Sequence, residues 1–146
     1  MGDVERNIEN VRRLEALYNA RDYSGLGELI GDGFVAHTPS SDQTPPNVEG
    51  LRANNEGAFA AFPDRTTEIL DLFGEGDRVV ARIRQRGTNT GGLPWLGVPA
   101  NGNQVDFEWI QISRHDPDGK IVETWAQMEV PKLLQQLGAM PGSEGA

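Results

Sequence analysis

The sequence predicts an α+β domain in which a curved antiparallel β-sheet carries three N-terminal helices on its concave face and forms a cone with a central cavity. Apolar residues recur at helical spacing through the first 62 positions, and from Thr66 onward the hydrophobic period changes to two. Three of the four strand candidates contain nine to thirteen residues, whereas strands usually contain about five or six. Because long twisted strands must curl, we expect a concave face that amphipathic helices can close.

The first third of the chain carries the three helix predictions. Apolar residues at helical spacing define the first, amphipathic helix: Ile8, Val11, Leu14, Leu17 and Tyr18. Asp22 or Ser24 can cap a short second helix, which residues 31–33 end before a short strand at 34–37. Residues 38–46, rich in proline and hydroxyl side chains, are predicted to form a loop. A third helix then begins at Asn47 and ends before Pro63.

Four strands follow the third helix. They are predicted at 66–73, 78–90, 104–114 and 120–128, with turns rich in glycine, proline and aspartate between them. A short helix at 131–137 closes the fold. We therefore expect residues 1–140 to form a single domain and residues 141–146 to form a disordered tail.

The composition excludes several classes of function. Thirteen Lys and Arg against 22 Asp and Glu give a formal net charge of −9, so we expect no nucleic-acid partner. No apolar stretch approaches 18 residues and the N-terminus is charged, so we expect no membrane association and a cytoplasmic protein. The chain has no cysteine, two histidines and no metal-binding motif, so no metal site is predicted.

The alternation of side chains along the strands assigns candidate cavity residues. Trp109 and Gln111 share a face with Phe107, and Gln111 would be a polar group able to orient a carbonyl or a hydroxyl. Asp106 and Glu108 fall on the other face, which we expect to be solvated. Small and apolar residues of the last strand, among them Ala126, are expected to face inward. Trp95 lies in an apolar loop and either belongs to the core or roofs a pocket.

His37 and Glu129 are the two candidates for proton transfer. His37 ends the short strand, where an imidazole can reach the cavity mouth or serve as a hydrogen-bonded structural residue. Glu129 lies where the last strand gives way to the closing helix, so its carboxylate is either an active-site acid or a partner of helix amides. His115 falls in a polar turn and is expected to be solvated.

Several motifs, taken in order, resemble the SnoaL-like polyketide cyclase family, which has the nuclear-transport-factor-like cone fold. They occupy residues 34–39, 61–64, 74–82 and 87–91, and the most specific part is 118–125 followed by 133–138. The resemblance implies a homodimer without a cofactor, whose cavity binds a hydrophobic polyketide-like or other polycyclic ligand. Founding members close a ring by aldol chemistry with a carboxylate as the base. Comparison within the fold adds Tyr18 and Asn89 to the cavity candidates.

The sequence departs from the family pattern at the position of the cyclase Asp, which falls on Ala126, while the cyclase His falls on Gln111. A hydroxylase-type branch also lacks that Asp, and the chain resembles this branch more closely. Two alternatives to a cyclase or hydroxylase stay open. One is a non-catalytic ligand-binding or partner subunit that works with a reductase or oxygenase. The other is an epoxide-opening cyclase or hydrolase of the same fold, in which a cyclase would use Tyr18 with Asp42 or Glu68.

Overall fold

A computed structural model describes residues 2–39, 45 and 47–139 of the chain. The helices are α1 (Asp3–Ala20), α2 (Leu26–Leu29), α3 (Val48–Ala61) and α4 (Val130–Gln136). The strands are β1 (Ile30–His37), β2 (Thr66–Glu75), β3 (Arg78–Thr88), β4 (Gln104–His115) and β5 (Ile121–Met128). The predicted boundaries agree closely with these, except that β1 begins four residues earlier than expected. The predicted tail at 141–146, and Asp42 in the predicted loop, lie outside the described residues.

Local side-chain contacts fix several of these boundaries. Asp22 accepts a hydrogen bond from the Ser24 backbone amide at 3.2 Å, which starts the turn that leads into α2. Asn47 caps α3, because its Oδ1 accepts a hydrogen bond from the Gly50 amide at 3.1 Å. The helix ends at Ala61 because the residue that follows precedes a proline.

The five strands form one sheet in the order β1-β5-β4-β3-β2. Strands β2 to β5 form an antiparallel meander, as predicted, whereas β1 pairs in parallel with β5. The sheet is therefore mixed, which corrects the expected antiparallel sheet. A parallel pair requires a long crossover, and the segment that contains α3 together with the meander supplies it.

Two clusters of buried apolar residues hold the helices to the sheet. The first joins α1 and α2 to the sheet through residues such as Val11, Leu14 and Ile83. The second joins the loop after β3 and the closing helix to β4, through residues such as Leu93 and Leu133. Trp109 packs against both clusters. None of the described helices combines the length and apolarity that crossing a membrane requires.

His115 is buried, with 3% of its surface exposed, so the prediction of a solvated side chain was wrong. Strand β4 continues through His115, which places this side chain on the same inward face as Ser113. Its Nδ1 donates to the Gly119 carbonyl at 3.0 Å, and its Nε2 accepts from the Ser113 hydroxyl at 2.8 Å. Burial lowers the pKa of His115, which keeps the ring neutral in this arrangement.

Candidate functional site

A cavity of about 420 Å³ lies between α1, α3, the concave face of the sheet and the loop after β3. Its volume falls within the range of small-molecule sites, roughly 300–1,000 Å³. Strand β4 contributes Phe107, Trp109 and Gln111 to the wall, and β5 contributes Ala126 and Met128. The predicted inward faces of both strands are therefore confirmed.

The outer face of the sheet carries the charged residues of the same strands. Arg84 donates to Asp106 at 2.8 Å, and Arg82 donates to Glu108 at 2.7 Å. The hydrogen bond from Arg84 lowers the pKa of Asp106, so this carboxylate stays ionised. These acids belong to a solvated ladder of ion pairs outside the cavity, in agreement with the prediction.

Glu15 is a cavity residue that the sequence analysis missed. Its side chain lines the cavity, and the residue is only 5% exposed. Burial raises the pKa of its carboxyl from the usual 4.5 to about 7, and the positive charge of Arg65 opposes the rise. A signal was available, because position 15 lies between Val11 and Tyr18 on the apolar stripe of the helix.

Tyr18, one of the cavity candidates from the sequence, lines the cavity one helical turn after Glu15. Burial raises the pKa of its phenol, and the neighbouring Glu15 and Tyr23 raise it further. The hydroxyl therefore stays protonated and can donate a hydrogen bond. The backbone carbonyl of Tyr18 accepts from Asn55 Nδ2 at 3.0 Å, which ties α1 to α3 on this side of the cavity.

Arg65 is the second cavity residue that the sequence analysis missed. Its guanidinium lies over two aromatic rings, at 5.3 Å from the centroid of Phe59 and 5.7 Å from that of Trp109. Within the described part of the chain, its buried Nε and Nη1 atoms have no hydrogen-bond partner. Burial lowers the pKa of this guanidinium. No periodicity marks Arg65, because it lies in the turn between α3 and β2.

The loop after β3 covers the cavity with Trp95, one of the predicted pocket residues. Asn89 is fully buried, and it holds this loop rather than lining the cavity wall. Its side chain donates to the Pro99 carbonyl at 2.9 Å and accepts from the Gly92 amide at 2.9 Å. A Cβ at Gly91 would lie 1.9 Å from a carbonyl of α3, so glycine permits the close approach of this loop.

The structure does not bring His37 and Glu129 to the cavity lining. His37 lies on the outer face, where Nε2 is 2.9 Å from Glu123 and the ring stacks on Trp125. Glu129 accepts a hydrogen bond from the Glu108 amide at 2.8 Å.

For the epoxide-opening alternative, Glu68 is exposed on the outer face of the sheet. It lies opposite Arg84 in the register of β2 and β3. Tyr18 is the only one of the described residues proposed for that chemistry that lines the cavity. No group of three or more His, Asp or Glu could hold a metal ion among residues 2–39, 45 and 47–139.

A profile of SnoaL-like polyketide cyclases matches residues 8–137, which is 130 of the 146 residues. The chain belongs to the SnoaL-like polyketide cyclase family. Solved structures agree with this assignment and confirm the cone fold.

TsrD from Streptomyces laurentii is 27% identical to this SnoaL-like chain, with 90% of this chain and 94% of TsrD covered and a TM-score of 0.78. AclR from Streptomyces galilaeus, a proposed hydroxylase, is 26% identical, with 94% and 99% covered and a TM-score of 0.78. IdmH from Streptomyces antibioticus, a proposed polyketide cyclase, is 30% identical, with 90% and 98% covered and a TM-score of 0.76.

Two curated relatives, chorismate synthases from Paramagnetospirillum magneticum and Methylobacterium radiotolerans, are 32% identical over 91 residues. The match covers 62% of this chain, and the chain spans about a quarter of their length, 24%.

Proposed function

We propose that this SnoaL-like chain closes a ring in a hydrophobic polyketide-like or other polycyclic substrate, with Glu15 as the proton-transfer group. The observation that carries the proposal is the Glu15 carboxyl, which lines the cavity and has its pKa raised to about 7 by burial. Near neutral pH such a carboxyl populates both protonation states, as a group that acts first as base and then as acid requires.

The proposed reaction is an intramolecular aldol closure. The Glu15 carboxylate takes a proton from the carbon next to a carbonyl, and the C–H electron pair moves onto the carbonyl to form an enolate. The enolate carbon attacks a second carbonyl of the same molecule and forms the new C–C bond. Glu15 then returns its proton to the alkoxide. The sequence of steps is an isomerisation, so atoms and electrons balance without a co-reactant.

Two side chains of the cavity can stabilise the enolate oxygen. Tyr18 follows Glu15 by three residues on the same helix face, and the raised pKa keeps its hydroxyl protonated as a donor. Gln111 on β4 pairs in register with Ala126 on β5, so its amide is placed beside the position that holds no acid. Donors aimed at developing negative charge in a pocket that excludes water are a main source of catalysis.

The lining of the cavity supports a hydrophobic, aromatic substrate. Phe107 and Trp109 form part of the sheet wall, and Trp95 covers the cavity from the loop. Flat aromatic side chains suit the faces of fused rings. The similarity to IdmH, a proposed polyketide cyclase, supports the same class of substrate.

The proposal is tested by following proton exchange rather than ring closure. The bicyclic ketone 1-tetralone is incubated with the protein in D₂O, and the loss of its α-proton signal is followed by NMR. We expect the protein to accelerate exchange, and Glu15→Gln to lose about 100-fold or more of this acceleration. The matched control is Glu9→Gln on the exposed side of the same helix. A folded Glu15→Gln variant that exchanges at the full rate would refute the proposal.

A hydroxylase or partner-subunit role is the second candidate. It is favoured by the similarity to AclR, a proposed hydroxylase, over 94% of this chain, and by the absence of a carboxylate at Ala126. The test incubates a polycyclic ketone with the protein alone and then with an added reductase, its reduced nicotinamide cofactor as the electron donor, and oxygen. Product that forms only in the complete mixture would support this role over ring closure.

We also propose that the protein forms a homodimer through the outer face of its sheet. Ile110 on β4 is 47% exposed there, and Phe73 on β2 is 58% exposed. Large apolar side chains among ion pairs on a sheet face are suited to a protein contact.

A further inference from the structure

Arg65 carries hydrogen-bond donors that the described protein leaves unused. Its Nε and Nη1 atoms are buried, and neither has a partner among the described residues. Buried donors in native proteins are nearly always paired, and an unpaired one is costly, the more so when it is charged. Arg65 lines the cavity, so a ligand bound there is placed to supply the acceptor.

Three arginines of the sheet have close carboxylate partners, in contrast to Arg65. Arg82, Arg84 and Arg114 each form an ion pair with a carboxylate at 3.0 Å or less. Asp64, the nearest acid in sequence to Arg65, accepts instead from the Thr88 amide and hydroxyl at 2.7 Å. The Asp64 carboxylate is therefore already hydrogen-bonded to β3.

The guanidinium is also held in place. It lies over the Phe59 ring from α3 and the Trp109 ring from β4, at 5.3 and 5.7 Å. These contacts fix its orientation and leave its N–H groups available. An arginine that is stacked in this way loses little entropy when it binds an anion.

Glu15 is not a permanent counter-ion for Arg65. Its negative charge is the largest attractive influence on the guanidinium, ahead of the two tyrosines Tyr23 and Tyr18. Burial, however, keeps the Glu15 carboxyl about half protonated near pH 7. The cavity therefore carries a positive charge for much of the time near neutral pH.

We infer that Arg65 binds a carboxylate of the ligand, so that the substrate class is an aromatic or polycyclic carboxylic acid in its ionised form. The carboxylate supplies both the acceptors and the counter-charge that Arg65 lacks, whereas a neutral carbonyl supplies acceptors alone. The apolar body of the ligand then lies against Phe107 and Trp95. The inference rests on the proposed function, because the anchored acid and the reacting carbonyl belong to one molecule in one cavity.

The test compares two ligands of nearly the same shape, anthraquinone-2-carboxylate and anthraquinone-2-carboxamide. Their dissociation constants are measured at pH 6 by tryptophan fluorescence and calorimetry. We expect the carboxylate to bind about 10-fold or more tightly than the carboxamide, which is the factor that a hydrogen bond to a charged group supplies. Equal affinities, or no binding of the carboxylate, would overturn the inference.

Two variants assign the preference to Arg65. Arg65→Gln should lose the preference for the carboxylate, and Arg65→Lys, which keeps the charge with fewer donors, should retain part of it. The matched control is Arg12→Gln, which removes the same charge from an exposed side chain of α1. Each variant is checked by its thermal unfolding before binding is measured. A preference that survives in a folded Arg65→Gln protein contradicts the inference.

The two proposals fail separately. Glu15→Gln should lose about 100-fold or more of the acceleration of ketone exchange while it preserves the carboxylate preference. A wild-type protein that prefers the carboxylate but does not exchange 1-tetralone protons would keep Arg65 as the anion site and refute the base. Exchange without a carboxylate preference would leave Glu15 as the base and refute the role of Arg65.

Discussion

Replacing Glu15 with Gln removes a buried carboxyl whose ionisation the fold opposes. Burial raises the pKa of Glu15 from 4.5 to about 7 in the native state, so the native protein binds more protons than the unfolded chain between these values. The free energy of unfolding therefore falls as the pH rises through this window and levels off above pH 7. At about 1.4 kcal/mol per pKa unit, the full loss is about 3 kcal/mol.

Gln cannot ionise, so Glu15→Gln should escape this loss. We expect the variant to be more stable than the wild type by about 3 kcal/mol at pH 8.5 and by about 1 kcal/mol or less at pH 5. Urea unfolding followed by tryptophan fluorescence at the two pH values measures both differences. Glu9→Gln serves as the control, because the exposed Glu9 pairs only loosely with Arg12 at 3.8 Å.

The same stabilised variant should have lost its catalysis of ketone exchange. A substitution that raises stability and lowers activity is expected where a buried charge is kept for function. If Glu15→Gln is no more stable than the wild type at pH 8.5, the carboxyl is not ionised at a cost in the cavity, and Glu15 is not a tuned base.

Three further predictions follow. The rate of 1-tetralone exchange should rise with pH through about 7, because the Glu15 carboxylate is the active form of the base, and a rate independent of pH between 5 and 9 would contradict this. Tyr18→Phe should lower kcat for 1-tetralone exchange by about 10-fold or more with little change in KM, since the Tyr18 hydroxyl is proposed to stabilise the enolate. Steady-state kinetics measure kcat and KM. Ile110→Asp should convert a dimer to a monomer in analytical ultracentrifugation, whereas Asp118→Asn, in an exposed turn, should not.

The sheet side of the cavity could be predicted because a strand has a fixed side-chain period. Alternation along β4 placed Phe107, Trp109 and Gln111 together, and the structure confirms that they line the cavity. The parallel pairing of β1 with β5 could not be predicted, since it depends on where a crossover returns rather than on the residues of β1.

The chemistry of the helical side could not be predicted in the same way. Arg65 lies in a turn that no local pattern marks, and its properties come from burial. Glu15 lies on the apolar stripe of α1, which could have indicated its burial, but the size of the rise in its pKa depends on the assembled cavity. The direction in which the His37 ring faces could not be predicted either. Its position before a loop was compatible with a cavity residue and with a hydrogen-bonded structural residue, and β1 at the edge of the sheet directs the ring to the outer face, onto Trp125.

The position of Glu15 determines the side of the cavity from which the proposed base reaches a ligand. Ala126 and Gln111 pair in register on the sheet wall, and neither carries an acid there. Glu15 and Tyr18 belong to α1, on the helical wall, so the proposed base and one proposed donor face the cavity from the same side, whereas Gln111 faces it from the sheet. Arg65 lies between the walls, stacked on Trp109 of the sheet and Phe59 of α3. If Arg65 holds a carboxylate as proposed, it fixes one end of a flat ligand, and we expect the reacting carbon to present to α1 the face from which its proton leaves.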